Sequence, residues 1–152
     1  MSHRDRFVIH ALAQTGQVVL LGDLDCSELV ARALRDAGGP DWTKTHTAQR
    51  FHDEASRKLV DGEKPLAGDL TFHGFTGEAD AKLHVVHVGI WLDGGEVLSA
   101  DGATSKIKTI EEAIANPNCR VRRHPSIRYR KDLPYLAVRR FTALDNLDRV
   151  SR

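Results

Sequence analysis

Residues 83–95 have the sequence LHVVHVGIWLDGG, which indicates the fold class more strongly than any other part of the chain. The first ten of these residues are rich in β-branched and aromatic side chains, which is typical of a β-strand. The Asp93-Gly94-Gly95 sequence that follows is typical of a hairpin turn. Residues 96–101 predict the returning strand, so this region predicts an antiparallel pair.

Helical patterns dominate the chain before this hairpin. Residues 3–15 predict a first helix, with Ser2 as its N-cap. A second helix is predicted from about residue 25 to the Gly-Gly-Pro sequence at 38–40, and a third covers about residues 47–59. The helices therefore come first in the chain.

The second half of the chain contains the remaining predicted strands. They cover about residues 69–73, 119–124 and 135–142, and a short helix is predicted at 110–116. Helices followed by consecutive strands favour an α+β fold, with N-terminal helices packed on a central antiparallel sheet of about five to six strands. The length predicts one domain that covers residues 1–152.

The composition is that of a globular protein. Of the 152 residues, 41% are hydrophobic and 28% are charged, which excludes disordered and fibrous classes. No apolar run approaches the ~20 residues that a membrane helix needs, so no membrane partner is expected. The first residues lack the apolar segment of a secretory signal, and we expect synthesis in the cytoplasm without a signal peptide.

Charge is distributed unevenly along the chain. From Arg120 onward there are ten Lys or Arg and three acidic residues, whereas the first 119 residues carry a net charge of −6. A basic C-terminal face could bind an anionic polymer such as nucleic acid or cell wall, or it could be a solvated strand face. Neither the aromatic platforms of single-strand binders nor a helix-turn-helix pattern accompanies it, so nucleic acid is not an expected partner.

The two cysteines have different settings. Cys26 follows Asp25 at the start of the second predicted helix, where free backbone N–H groups and the helix dipole favour negative charge. This setting lowers the pKa of a thiol from its usual ~8.5, and the same N–H groups can stabilise an oxyanion. Cys119 is typical of a small buried side chain. Neither cysteine lies in a C-x-x-C pair, so no metal site is expected.

A thiolate nucleophile needs a base, and two of the eight histidines lie in the apolar strand. His84 and His87 are three positions apart, and an odd offset predicts opposite faces of the strand. This spacing argues against a shared metal and leaves one of them facing the helices. Periodicity alone does not distinguish which one, and a buried structural histidine is an alternative.

Four short motifs carry a family resemblance. The sequences are DCSELV at 25–30, THTAQ at 45–49, LAGDLTF at 66–72 and HVGIWL at 87–92. In this order they resemble motifs of the NlpC-type cysteine peptidases, papain-like enzymes that cut the peptide stems of bacterial cell wall. The resemblance extends over about residues 7–141. It implies a papain-like NlpC-type fold with the nucleophile at a helix N-terminus.

The resemblance also implies the roles of the site residues. Cys26 is the nucleophile and His87 the general base, and no cofactor is needed. The family's third position, usually His, Asn or Gln, is Ser99 here. We predict that the far ring nitrogen of His87 bonds to Ser99, with Asp101 on the same strand face in support or as the alternative orienting residue.

Two further positions differ from the family pattern. The segment 19–22 reads VLLG where family members commonly have Tyr-x-Trp-Gly, so the tyrosine that usually borders the nucleophile is absent there. Glu28 stands in place of the usual glycine after Asp-Cys-Ser. Both departures bear on the part of the site that would contact the substrate.

The implied function is peptidoglycan hydrolysis, at an amide bond next to D-glutamate or diaminopimelate. A chain with no signal needs a delivery route, so a phage tail, a tail-like particle or a secretion apparatus is an expected partner, with action on the cell wall. The alternative is a non-catalytic structural or wall-binding module of such a particle, with the same fold.

Overall fold

The structure, a computed structural model, describes residues 1–102 and 104–150. The helices in these ranges are α1 (His3–Leu12), α2 (Cys26–Asp36), α3 (Ala48–Ala55), α4 (Ile110–Ala115) and α5 (Thr142–Val150). The strands are β1 (Ser56–Lys58), β2 (Leu70–Thr76), β3 (Leu83–Trp91), β4 (Val97–Ala100), β5 (Val121–His124) and β6 (Tyr135–Phe141). Short 3-10 turns cover Asp93–Gly95 and Ile127–Tyr129. None of the helices in these ranges is long and apolar enough to cross a membrane.

The strands form one antiparallel sheet in the order β1-β6-β2-β3-β4-β5. The hairpin predicted from residues 83–101 is present as β3 and β4, with Ile90 opposite Leu98. Its turn needs glycine, because Gly94 and Gly95 have φ angles of 79° and 84°. The predicted α+β class with an antiparallel sheet is confirmed.

Side-chain caps fix where the first three helices begin. Ser2, Asp25 and Thr47 each accept a hydrogen bond from the backbone N–H three residues later. Such caps satisfy donors that have no partner inside the helix. The Asp25 cap makes Cys26 the first residue of α2, as the sequence predicted.

Two elements at the edge of the sheet differ from the sequence prediction. The third helix, expected to reach residue 59, ends at Ala55, and Ser56–Lys58 forms β1 against the C-terminal strand β6. Strand β6 is followed directly by α5, where no helix was predicted. The strand β1 forms because pairing with the distant β6 overrides local propensity.

The core lies between the helices and the sheet. Phe7 of α1 contacts Phe141 of β6 with ring centroids 5.1 Å apart, and Phe51 of α3 lies 6.0 Å from the same ring. All three side chains are fully buried. Burial of each such side chain contributes roughly 1.5–3 kcal/mol, so this contact holds the N-terminal helices to the last strand.

Asp69 anchors the start of β2 from inside the protein. Its side chain is fully buried and accepts from Arg4 Nη1 at 2.9 Å and Arg140 Nε at 3.0 Å. It also accepts from the backbone N–H groups of Leu66 and Phe141. A buried carboxylate is stable only when it is paired in this way, and the arrangement joins helix α1 to two strands.

Candidate active site

Cys26 lies at the N-terminus of α2, and its partly buried side chain lines a cavity of about 680 Å³. His87, Asp101, Arg122, His124 and Tyr129 line the same cavity. The structure thus brings the predicted nucleophile and the predicted base to one cavity. Cys119 lies elsewhere, fully buried, with its thiol donating to the backbone carbonyl of Gly102 at 3.3 Å.

The thiol of Cys26 is protonated in the resting protein. Burial raises its pKa to about 11, although the backbone N–H of Val88 and then that of Ser27 act in the opposite direction. The sequence predicted a lowered pKa from the helix N-terminus alone. That expectation is wrong for the resting state, because loss of hydration disfavours the thiolate more than these amides favour it.

His87 lies in β3 directly opposite His73 of β2, and only 3% of it is exposed. One position earlier, Val86 has no partner in β2, since Val85 pairs with Gly74 and His87 with His73. This extra residue is a bulge, which changes the direction of the side chains that follow it. Counting residues therefore does not place His84 and His87 on opposite faces.

His84 is nevertheless separate from the cavity. It lies near the start of β3, where its ring stacks on Phe75 and bonds to Asp80 at 2.9 Å. Its side chain is 42% exposed. His87 is thus the histidine of this strand that reaches the cavity, in agreement with the family resemblance.

The imidazole of His87 is neutral. Burial, followed by the nearby positive charge of Arg130, lowers its pKa to about 3, against the opposing effect of Asp101. A neutral ring carries one proton, on either Nδ1 or Nε2, and its hydrogen-bond partners decide which.

A chain of hydrogen bonds runs from His87 through Ser99 to Asp101. Nε2 of His87 lies 2.8 Å from Ser99 Oγ, and Ser99 donates to Asp101 Oδ1 at 2.9 Å. Since the carboxylate only accepts, the hydrogen of Ser99 lies toward Asp101. Ser99 must then accept from Nε2–H, which leaves Nδ1 of His87 with a free lone pair, the form that a general base requires.

Asp101 is held ionised by its neighbours. Burial acts to raise its pKa, but hydrogen bonds from His124 and Ser99 keep the pKa below its ordinary value. His124 Nε2 contacts Oδ2, and Arg122 Nε approaches the same oxygen at 3.9 Å. The residue that sequence analysis left as an alternative thus lies behind Ser99, in contact with it, rather than against the ring of His87.

Tyr129 is a site residue that sequence analysis missed. Its hydroxyl lies 2.6 Å from Nε2 of His87, and its ring stacks on His124 with centroids 4.1 Å apart. Burial raises its pKa, so the phenol stays protonated. Its turn is held by a hydrogen bond between His73 Nε2 and the carbonyl of Ile127 at 3.1 Å. No sequence motif marks this tyrosine, because it reaches the site from a turn 42 residues after the histidine.

Glu28, the unusual residue after the nucleophile motif, has a structural partner. His46 Nε2 lies 2.6 Å from its Oε2, and Arg32 donates to its Oε1 at 2.9 Å. The other nitrogen of His46 lies 2.6 Å from Ser27 Oγ. These contacts hold the segment before α3 against the first turn of α2, next to Cys26.

Across residues 1–102 and 104–150, no group of three or more His, Cys, Asp or Glu side chains is arranged to hold a metal ion.

Comparison with known proteins identifies related sequences and folds. Residues 10–123 match the sequence model of the NlpC/P60 family. No curated protein sequence matches the chain. A structure from Staphylococcus aureus, described as similar to a lipoprotein of the NLP/P60 family, is 25% identical with a TM-score of 0.59, covering 91% of this chain and 41% of that one.

Two structures from Trichomonas vaginalis share the fold. NlpC1 is 19% identical with a TM-score of 0.63, covering 92% of this chain and 44% of that one. NlpC2 is 18% identical with a TM-score of 0.61, covering 92% and 47%. The chain therefore spans less than half the length of each of these three proteins.

Proposed function

This chain belongs to the NlpC/P60 family, and from that membership we propose that it is a cysteine peptidase that hydrolyses an amide bond in the peptide stem of peptidoglycan. The resemblance found in four short motifs is thereby confirmed at the level of the family. One structural observation carries the proposal. The cavity lined by Cys26 also holds His87, whose hydrogen bonds leave Nδ1 free to accept a proton.

The first chemical step is attack by Cys26 Sγ on the scissile carbonyl carbon. Because burial keeps both the thiol and the imidazole neutral, the proton passes from sulfur to Nδ1 of His87 as the S–C bond forms. The imidazolium then gives this proton to the leaving amine, and the C–N bond breaks. A thioester between Cys26 and the acyl part of the peptide results.

Hydrolysis of the thioester restores the enzyme. His87 Nδ1 takes a proton from a water molecule, whose oxygen attacks the thioester carbon, and the thiolate leaves and regains the proton. In both halves of the reaction the negative charge on the carbonyl oxygen can be stabilised by backbone N–H groups in the first turn of α2, which have no partner inside the helix.

Asp101 stabilises the positive charge that His87 acquires. It lies one hydroxyl group away from the ring, through Ser99, and it is ionised. The serine at the family's third position thus orients the ring, and the carboxylate behind it supplies the charge. Together these two residues provide both orientation of the ring and a negative charge near it, although Ser99 itself carries no charge.

The experiment that tests the proposal is digestion of purified peptidoglycan by the full chain, with mass spectrometry of the released peptides. We expect new amine and carboxyl ends at one stem bond, next to D-glutamate or diaminopimelate. Cys26→Ser should abolish the products, and Cys119→Ser should retain them, because Cys119 lies outside the cavity. Thermal unfolding shows that each variant is folded. Products from folded Cys26→Ser, or none from the wild type, would overturn the proposal.

A further inference from the structure

The basic C-terminal region is largely occupied by contacts within the protein. Six of its arginines have hydrogen-bond acceptors in the described part of the chain, and each contact fixes local structure. Arg120 binds carbonyl groups of α4, Arg123 binds Glu96, Arg130 binds Asp132, Arg139 binds Ser56, Arg140 binds Asp69, and Arg149 binds Asn146. The concentration of charge in this part of the sequence is therefore mainly structural.

Arg122 is different. Its Nε is buried but has no hydrogen-bond partner within residues 1–102 and 104–150. Its approach to Asp101 Oδ2, at 3.9 Å, is too long for a hydrogen bond, and His124 already contacts that oxygen. Because this atom is buried, a ligand in the cavity would bind the other N–H groups of the guanidinium, which belongs to a partly exposed side chain.

The position of Arg122 connects it to the reaction site. It lies in β5 directly opposite Ser99 of β4, so the two side chains are on the same face of the sheet. Its side chain lines the cavity that also contains Cys26 and remains 42% exposed. A peptide bound with its scissile carbonyl at Cys26 would occupy the same cavity as this guanidinium.

We propose that Arg122 binds a carboxylate of the peptide substrate, on the residue that flanks the scissile amide, and so selects substrates that carry this free acid. The inference rests on the proposed peptidase function and adds a specificity-determining residue to it. A guanidinium donates two parallel hydrogen bonds to a carboxylate. A carboxamide has only one acceptor oxygen and no negative charge, so it binds a guanidinium less well.

The acidic residues of the cavity are unable to replace the substrate in this role. Asp25 caps α2 by accepting from the backbone N–H of Glu28. Asp101 is bound by His124 and Ser99, and Asp132 is bound by Arg130 through both carboxylate oxygens. The guanidinium of Arg122 thus faces a cavity in which the acidic side chains already have hydrogen-bond partners.

The test uses two synthetic stem peptides that are identical except at one glutamate, whose α-carboxylate is free in one and a carboxamide in the other. We expect the kcat/KM of the wild type to be about 10- to 100-fold higher for the carboxylate peptide than for the carboxamide peptide. This is the range for loss of a charge-assisted hydrogen bond. Arg122→Gln should reduce kcat/KM for the carboxylate peptide to the value for the carboxamide peptide. It should leave kcat/KM for the carboxamide peptide nearly unchanged. Arg122→Lys should retain part of the preference.

Arg123→Gln is the matched control, because Arg123 is the next residue of β5, points to the other face and binds Glu96. It should keep the wild-type preference. An Arg122→Gln variant that is folded and still prefers the carboxylate peptide, or that loses both activities equally, would overturn the inference.

Binding separates this inference from the peptidase proposal. Calorimetry of the Cys26→Ala protein with both peptides measures recognition without hydrolysis. If the wild type cleaves neither peptide, the peptidase proposal fails. The role of Arg122 is still supported if the Cys26→Ala protein binds the carboxylate peptide more tightly and the Cys26→Ala, Arg122→Gln protein does not. Equal affinity for the two peptides would overturn it.

Discussion

The ring of His87 and the hydroxyl of Ser99 are joined by a buried hydrogen bond of 2.8 Å through Nε2. The sequence predicts this contact, with Asp101 as the alternative orienting residue. In the structure the two residues act in series, because Ser99 donates to Asp101 and accepts from His87. The order of these donors fixes the tautomer of the ring, and three of the predictions below depend on it.

Removal of the Ser99 hydroxyl tests its orienting role. We expect Ser99→Ala to lower kcat by about 10- to 100-fold, because the ring loses its link to Asp101 while Cys26 and His87 remain. Steady-state kinetics on a stem peptide measures the effect. A folded Ser99→Ala protein with wild-type kcat would show that the hydrogen bond has no catalytic role.

Asp101→Asn tests the direction of the hydrogen-bond chain. His124 contacts the second oxygen of the carboxylate, so we expect the new amide nitrogen to face Ser99 and to donate to it. Ser99 would then donate to Nε2, and the proton of His87 would move to Nδ1, which can no longer act as a base. We expect kcat to fall by about 100-fold or more. Nitrogen-15 NMR of the His87 ring reports the tautomer directly, and a retained Nε2–H would contradict this account.

Tyr129→Phe tests the second contact on Nε2. The hydroxyl lies 2.6 Å from this nitrogen, but Ser99 holds the ring without it. We expect kcat to fall by only about 2- to 10-fold, the effect of one neutral hydrogen bond. The double variant with Ser99→Ala removes both partners, and we expect it to lose more than the product of the single effects. Simple multiplication of the two effects would show that they act independently.

The neutral state of His87 predicts how stability depends on pH. Its pKa is about 3 in the folded protein, lowered first by burial, against about 6.5 in the unfolded chain. Between these values the unfolded chain binds the additional proton, so stability falls as pH decreases from about 6.5, by at most about 1.4 kcal/mol per pH unit from this residue. Urea unfolding of the wild type and of His87→Gln between pH 7 and pH 4 measures how the free energy of unfolding depends on pH. We expect a shallower decrease in the variant, and equal slopes would refute burial of a neutral ring.

Much of the fold was predictable because its signals are local. The β-branched and aromatic composition of residues 83–92 and the turn at 93–95 identified the β3–β4 hairpin, and Asp25 identified the start of α2. A cap or a turn depends on residues within a few positions of one another. Strand β1 was not predictable, since Ser56–Lys58 becomes a strand only by pairing with β6, more than 80 residues later.

The amino-acid sequence by itself determined the class of fold and the helix start at Cys26, and the family motifs singled out His87 and Ser99 as candidate site residues. Tertiary structure alone decided that Tyr129 and His124 join the site and that Arg122 lacks an acceptor in the described residues. It also decided the protonation of the resting pair, in which burial raises the pKa of Cys26 and lowers that of His87. The physical reason is the range of each effect. Caps, turns and strand alternation act between near neighbours in sequence, whereas burial and charge act through space between segments that only the folded chain brings together.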